Sequence, residues 1–123
     1  METGLKFTSK AIVGSASSAE AMGSGDLPVF ATPSMVALME NAAMNAVAPF
    51  LPEGATTVGA EINTTHVKPT SVGTCVEATA TLVAVEGRKL SFEVEAVDNA
   101  GLIGKGTHVR FVVDRERFMA KLG

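Results

Sequence analysis

The sequence predicts an α+β fold in which a curled antiparallel five-stranded sheet wraps around one long buried helix. Two observations lead to this prediction. From Leu27 to Pro52 the only formally charged residue is Glu40, so a helix formed there is apolar on nearly every side and must be covered by other elements. After it, four segments with strand-like patterns follow one another with turn residues between them, which is typical of antiparallel strands in a meander.

The N-terminal part predicts a strand and then a loop. Residues 5 to 16 (LKFTSKAIVGSA) show the loose alternation of a first strand. Residues 17 to 27 are small, polar and glycine-rich, so we expect a mobile loop or lid there.

The helix is predicted over residues 33 to 48. Thr32 precedes Pro33, and a threonine side chain can cap the free amides of a first turn while proline is favoured at the first helical position. Pro49 and Pro52 end the helix because proline lacks the amide that a helix interior needs.

Four further strands complete the predicted sheet. In the first of them, period two places Val58, Ala60, Ile62, Thr64 and His66 on one face. The four strands are predicted at residues 56 to 67, 73 to 85, 88 to 98 and 102 to 113, with a tight turn at Glu86-Gly87. Asp114 can cap a short C-terminal helix, RERFMAKL.

Length and composition limit the class of protein. A chain of 123 residues predicts one domain, residues 1 to 123. Because 46% of the residues are hydrophobic and only 19% charged, we expect a homo-oligomer that buries the excess apolar surface. A net charge of −3 without a large basic patch argues against nucleic acid as a partner.

The cysteine count and the absence of a targeting pattern suggest a cytoplasmic protein. Cys75 is the single cysteine, so no internal disulfide can form, and its position in a strand without a nearby histidine suggests packing rather than nucleophilic chemistry. The N-terminus has no long apolar core, and the prolines in the apolar stretch make it a poor membrane span. We therefore expect no membrane partner.

Glu40 is the first candidate for chemistry. Val36, Glu40, Ala43 and Val47 fall along one helical stripe, which leaves the carboxylate beside the apolar face. A glutamate in that position is either paired for structural reasons or kept for catalysis, and the spacing leaves both interpretations open.

Thr32 and His66 could complete a catalytic set with Glu40. Each also has a structural interpretation, Thr32 as the helix cap and His66 as a core histidine. A hydroxyl, an imidazole and a carboxylate brought together in a dry pocket would serve as nucleophile, base and orienting group. His108 and Arg110 are expected to be solvated or structural, although Arg110 could meet phosphate.

No metal or other cofactor is predicted. The chain has only two histidines, and no cluster shows the close spacing of a zinc site. The segment GLIGKG lacks both the spacing and the following helix of a phosphate loop.

Three segments carry a resemblance to a known family: VFATPSMVALMENAAMNAVAPFLPEG, VGAEINTTHVKPTSVG and VEGRKLSFEVEAVDNAGLIGKGTHVR. Together they resemble the fluoroacetyl-CoA thioesterase-like family of hot-dog-fold proteins. The resemblance implies an acyl-CoA thioesterase with Thr32, Glu40 and His66 as catalytic residues, and Gly59 and Arg110 at the substrate. It also implies a homodimer, or a larger homo-oligomer, with active sites at the subunit interface.

One departure from the family pattern concerns the predicted lid. The fluoroacetyl-specific enzyme carries two phenylalanines there, whereas the aligned positions in this chain are Gly23 and Asp26. We therefore expect hydrolysis of another acyl-CoA, or a broader specificity. A non-catalytic acyl-CoA binding or sensing protein is the alternative, and a hot-dog hydratase or dehydratase is a weaker one.

Overall fold

In the computed structural model, which describes residues 1–123, five strands form one antiparallel sheet in the order β1-β3-β4-β5-β2. The strands are β1 (Lys6–Ile12), β2 (Ala55–His66), β3 (Cys75–Glu86), β4 (Lys89–Asp98) and β5 (Gly101–Asp114). The α-helices are α1 (Ala19–Met22), α2 (Thr32–Val47) and α3 (Arg115–Ala120), and single 3-10 turns lie at Ser15–Ser17 and Ala48–Phe50. The predicted α+β class and five-stranded sheet are confirmed, and the elements agree with their predicted ranges within a few residues.

The predicted four-strand meander is wrong at its first connection. Strands β3, β4 and β5 do form adjacent pairs, but β2 pairs with β5 at one edge of the sheet and not with β3. The connection from β2 to β3 is not a tight hairpin, because these two strands are not neighbours in the sheet. The connection instead bonds to the segment before α2: the amide of Phe30 donates to the carbonyl of Thr70 at 2.9 Å. The chain thus passes the start of α2 before it enters β3.

Helix α2 is packed against the sheet and forms the centre of the core. Its buried residues are Met35, Met39, Ala42, Ala43, Ala46 and Val47. The alternating residues of two central strands face it: Val76, Ala78, Ala80 and Leu82 from β3, and Leu90, Phe92, Val94 and Ala96 from β4. Each fully buried Leu or Phe contributes about 1.5–3 kcal/mol, so the helix and the sheet stabilise one another. The buried helix is confirmed.

A β-bulge in β2 changes which residues face the helix. Gly59 pairs with Arg110 and Glu61 with Val109, so Ala60 has no partner on β5. Directly opposed residues share a face of the sheet, and the extra residue shifts the alternation by one. The prediction of one face from Val58 to His66 is therefore wrong at its start, because the bulge places Gly59, and not Val58, on the face of His66.

The predicted lid is partly ordered. Residues 17 to 27 include α1, and their base is fixed by two backbone hydrogen bonds, from the amide of Ala19 to the carbonyl of Val29 at 2.8 Å and from that of Ala31 to Ser17 at 2.9 Å. All residues from Glu20 to Pro28 are exposed. The segment is therefore an exposed flap on an anchored base rather than an open loop.

Apolar side chains remain on the surface of the single chain. Ile12, Leu27, Val67, Met119 and Leu122 are all more than half exposed. Cys75, which the sequence suggested as a packing residue, is exposed at the start of β3, because it lies outside the alternation that buries Val76. None of the helices combines the length and apolar character needed to cross a bilayer.

Candidate active site

Thr32 and His66 are brought into direct contact. Thr32 is the first residue of α2, and His66 is the last residue of β2. The Thr32 Oγ1 atom lies 2.8 Å from His66 Nδ1, which is hydrogen-bond distance for a hydroxyl and a ring nitrogen. With Nδ1 unprotonated, the imidazole can accept the hydroxyl proton, so the pair has the geometry of a nucleophile and its base.

The same contact shows that Thr32 does not cap its helix. Ala31 occupies the N-cap position, no side chain caps this helix, and Pro33, predicted at the first helical position, is the second residue of the helix. The capping interpretation is therefore wrong, because the hydroxyl is directed at His66 instead. The amides at this helix end carry a partial positive charge and have no side-chain acceptor, so they can hold an oxyanion beside Thr32.

His66 is partly buried, and its second ring nitrogen has no partner. Desolvation lowers the pKa of His66 below 6.5, although the nearby backbone of Lys68 raises it, so the ring favours the neutral form. The Nε2 atom is buried without any hydrogen-bond partner in the single chain. When Nδ1 accepts from Thr32, Nε2 carries the proton, and a buried N–H without an acceptor costs free energy.

Glu40 lies on α2 at the edge of the buried face, as its stripe predicts, and it faces Gly59 on β2. A Cβ atom added to Gly59 would lie 2.9 Å from Oε2 of Glu40 and 3.4 Å from Nη1 of Arg110. Glycine therefore leaves a small space between a carboxylate and a guanidinium. Glu40 forms no ion pair within 4 Å, since the one salt bridge of the chain joins Lys68 and Asp98.

Arg110 is buried and held in one orientation. Its Nε donates to Thr57 Oγ1 at 2.8 Å, and its Nη2 donates to the Thr57 carbonyl at 3.0 Å. Burial lowers the pKa of Arg110, whereas the charge of Glu40 raises it. Of the two expected roles, solvated or structural, Arg110 fits the structural one, because only 7% of it is exposed.

His108 supports Arg110 from the same strand. Its Nδ1 lies 2.7 Å from the Glu61 carbonyl, and its Nε2 lies 3.2 Å from Arg110 Nη1. Only a neutral ring with the proton on Nδ1 satisfies both bonds. Desolvation is the main cause that lowers the pKa of His108, and the charge of Arg110 lowers it further. This histidine is structural, as expected, but it is fully buried rather than solvated.

The structure does not unite the three residues of the suggested catalytic set. Thr32 and His66 form one group, which we call the hydroxyl–imidazole pair. Glu40, Gly59, His108 and Arg110 form another, which we call the carboxylate cluster. The eight residue steps from Thr32 to Glu40 span about 12 Å of helix, and within one chain His66 forms no hydrogen bond to Glu40.

A cavity of about 320 Å³ opens at the hydroxyl–imidazole pair. It is lined by Ala19, Ser24, Val29, Phe30, Thr32, His66, Val67, Lys68 and Pro69. Lys68 was not singled out from the sequence, although it lies only two residues after the candidate His66. Only the pairing of β2 with the far edge of the sheet brings it beside Thr32.

Solved proteins with the same architecture define the class. A hypothetical protein of Thermus thermophilus, a thioesterase superfamily member, matches with a TM-score of 0.91 and 27% identity over 98% of this chain and 90% of the other. A five-stranded antiparallel sheet on one long helix, with a hydroxyl–imidazole pair at the helix start, makes this chain a member of the hot-dog thioesterase superfamily.

More specific matches identify the family. The family model for fluoroacetyl-CoA-specific thioesterase matches residues 13–116. The fluoroacetyl-CoA thioesterase of Streptantibioticus cattleyicolor is 48% identical over 94 residues, which are 76% of this chain and 68% of that protein. A threonine-to-serine variant of a fluoroacetyl-CoA thioesterase in complex with acetyl-CoA matches with a TM-score of 0.94 and 38% identity over 99% and 96% of the two chains. The chain belongs to the fluoroacetyl-CoA-specific thioesterase family, which confirms the resemblance.

Proposed function

We propose that the protein is an acyl-CoA thioesterase that hydrolyses an acyl-CoA thioester to a carboxylate and CoA. The observation that carries the proposal is the 2.8 Å contact between Thr32 Oγ1 and His66 Nδ1 at the start of the apolar helix. Solved structures of similar proteins contain acetyl-CoA in one case and fluoroacetate with CoA in another, so related folds accommodate such molecules.

Thr32, Glu40 and His66 are the proposed catalytic residues. His66 takes a proton from the Thr32 hydroxyl or from a water held by it, and the resulting oxygen nucleophile attacks the thioester carbonyl. Backbone amides at the start of α2, or that of Gly59, stabilise the negative oxygen. The C–S bond then breaks, and the imidazolium returns its proton to the CoA thiolate. If Thr32 is the nucleophile, His66 next takes a proton from a water that attacks the ester on Thr32; the C–O bond to Thr32 breaks, and the imidazolium returns the proton to the Thr32 oxygen.

Two routes are compatible with this geometry, an acyl-enzyme on Thr32 and direct attack by water. Rapid-quench mass spectrometry with a slowly hydrolysed acyl-CoA separates them, because an acyl group on Thr32 adds its mass to the peptide that contains it. If no acylated peptide is trapped, and both Thr32→Ser and Thr32→Ala remain active, the covalent route is excluded and water is the nucleophile.

The active enzyme is proposed to be a homodimer in which each site takes residues from both copies. Three observations support this. The buried Nε2 of His66 has no acceptor, and the Glu40 carboxylate has no cation within 4 Å. In addition, β2 is an edge strand of twelve residues whose outer edge is unpaired, and such an edge pairs readily with a second chain.

The register of such a pairing can be specified. If two β2 strands pair antiparallel around a two-fold axis through Asn63, Ile62 lies opposite Thr64 of the other copy. Because Ala60 is the extra residue of the bulge, Gly59 of one copy then lies opposite His66 of the other, and both face the same side of the sheet. Because Glu40 faces Gly59, this register brings the partner's Glu40 to the hydroxyl–imidazole pair. Arg110 of the same copy lies beside that Glu40 and is proposed to contact the acyl group.

Coexpression of two inactive variants tests the shared site. His66→Ala and Glu40→Gln, each with a different affinity tag, are purified through both tags so that only mixed dimers remain. Each mixed dimer then contains one intact site of two, so we expect about half of wild-type turnover per dimer. Inactive mixed dimers would show that each chain builds its own site, and exclusively monomeric protein would contradict the dimer itself.

The acyl group is proposed to be other than fluoroacetyl alone. Gly23 and Asp26 are both exposed and offer no aromatic cover to the cavity. Thiol release from short, branched and aromatic acyl-CoAs measures the specificity, with fluoroacetyl-CoA included. Binding without release of thiol would favour the acyl-CoA binding alternative, and loss or gain of a double bond without free thiol would favour a hydratase or dehydratase.

We also propose a cytoplasmic location for this activity. Cys75 is exposed and is the single cysteine of the chain, and a reducing compartment keeps such a thiol free. Fractionation of cells that express the tagged protein tests the location, and recovery with the membrane or extracellular fraction would contradict it.

A further inference from the structure

Lys68 places a positive charge at the cavity of the hydroxyl–imidazole pair. It is the only lining residue with an acidic or basic side chain other than His66, and it follows His66 by two residues. Its side chain is 38% exposed, so the ammonium group can reach a bound molecule.

Asp98 fixes the position of this lysine. Lys68 Nζ lies 2.7 Å from Asp98 Oδ2, and the side chain of Asp98 is only 3% exposed. The same carboxylate accepts hydrogen bonds from Thr70 Oγ1 at 2.9 Å and from the Ala100 amide at 2.8 Å. These partners hold the pKa of Asp98 at about 2, with the hydrogen bond from Lys68 as the largest cause.

Of the two members of the ion pair, only the positively charged one is a lining residue of the cavity. Asp98 does not line the cavity, whereas Lys68 does. One of the three ammonium protons points to Asp98, so two remain for other acceptors. A neutral, wholly apolar acyl group in this cavity would remove water from the ammonium group without replacing those hydrogen bonds, which is unfavourable.

We propose that Lys68 selects acyl-CoA substrates whose acyl group ends in a carboxylate, that is, monothioesters of short dicarboxylic acids. This inference rests on the proposed thioesterase function. The anion is assigned to the acyl group and not to the CoA phosphates, because Lys68 shares a cavity of about 320 Å³ with Thr32. The pantetheine arm holds the phosphates much farther from the thioester carbon than such a cavity extends.

Paired acyl-CoAs test the assignment. Malonyl-CoA is compared with butyryl-CoA, and succinyl-CoA with valeryl-CoA, so that each pair differs mainly in a carboxylate against an ethyl group. kcat/KM is measured for the wild type, Lys68→Met and Lys68→Arg, after subtraction of the enzyme-free rate. Lys10→Met is the matched control, because Lys10 is exposed on β1 and its loss changes the net charge equally.

The wild type is expected to prefer the carboxylated member of at least one pair by tenfold or more, as is typical of a hydrogen bond between charged groups. Lys68→Met should remove this preference without lowering kcat/KM for the neutral member, while Lys68→Arg and Lys10→Met should keep it.

Three kinds of outcome overturn the inference or the function on which it rests. Equal or better hydrolysis of the neutral members by the wild type, or an undiminished preference in Lys68→Met, refutes the role of Lys68 but leaves the thioesterase function standing. If the loss in Lys68→Met is equal for both members, Lys68 contacts CoA or the fold rather than the acyl carboxylate. Absence of thiol release from all four substrates and from the wider acyl-CoA panel refutes the proposed function itself.

Discussion

The two parts of the candidate site are built in different ways. Thr32 and His66 stand at the ends of their elements and are joined by a single hydrogen bond, and Thr32 is exposed. Glu40 and Arg110 come from the interiors of α2 and β5, and Arg110 is fixed by three hydrogen bonds. The hydroxyl–imidazole pair therefore has a hydroxyl and an imidazole but no group that orients the ring. The carboxylate cluster has charged groups held in position but no hydroxyl–imidazole contact. Each part contains what the other lacks.

Replacement of the charge in the carboxylate cluster is expected to have the largest effect. Glu40→Gln keeps the volume of the side chain but removes the negative charge, so turnover should fall by about 10²–10⁴-fold, as measured by thiol release with a saturating acyl-CoA. Glu53→Gln, in an exposed position before β2, should retain wild-type turnover. An active Glu40→Gln enzyme would assign the chemistry to Thr32 and His66 alone.

Filling the space at Gly59 is expected to have the next largest effect, and it tests whether the carboxylate cluster is held in position. A methyl group in Gly59→Ala would meet Glu40 Oε2 at 2.9 Å and push the carboxylate aside, and a displacement of about 1 Å can cost about 10²-fold in rate. Gly14→Ala is the control, because a Cβ there meets nothing within 4 Å and the backbone is extended. If both variants turn over substrate equally, Glu40 is mobile and the cluster is less fixed than the structure indicates.

A matched pair of threonine substitutions separates stability from activity. Thr57→Val removes the acceptor of buried Arg110 Nε, and an unsatisfied buried donor costs about 1–3 kcal/mol of the free energy of unfolding. Thr32→Val, at an exposed position, should change stability by less than about 0.5 kcal/mol while it abolishes any chemistry of the hydroxyl. Urea denaturation measures both, and equal losses would contradict the contrast between the two parts.

The smallest expected effect is on the pH dependence of stability. Burial lowers the pKa of both His66 and His108 below 6.5, so the unfolded chain binds more protons than the folded one just below that pH. The free energy of unfolding should therefore fall as the pH drops from 6.5 toward the folded pKa values. His66→Gln and His108→Gln should each make the decline less steep, as followed by melting temperature in buffers from pH 7.5 to 5. Unchanged slopes in both variants would show that neither histidine is responsible.

Local patterns in the sequence were sufficient for the elements of the fold. The spacing of Val36, Glu40, Ala43 and Val47 predicts a carboxylate at the edge of a buried face, and α2 has it there. The alternation of Leu90, Phe92, Val94 and Ala96 predicts the inner face of β4, and all four residues are buried. Such predictions work because helical and strand periods are local properties of the chain.

The contacts between distant segments could not be predicted from spacing. Thr32 fits the pattern of a helix cap, and only the approach of β2 turns its hydroxyl to His66. Arg110 looks like a surface cation, but its burial depends on Thr57, a residue 53 positions away. The family resemblance grouped Thr32, Glu40 and His66 as catalytic residues, yet it did not indicate that Glu40 is far from the other two within one chain.

The unpaired Ala60 has a consequence for how this family can vary in length. Gly59 and His66 are an odd number of positions apart, so in a regular strand they would face opposite sides of the sheet. Because Ala60 is an extra residue in the bulge, both of them face the helix side. Deletion of Ala60, or a single insertion between Ile62 and Thr65, would turn one of the two away from the helix, whereas a change of two residues would not. Sequences that retain this site should therefore tolerate paired, but not single, insertions and deletions in this part of β2.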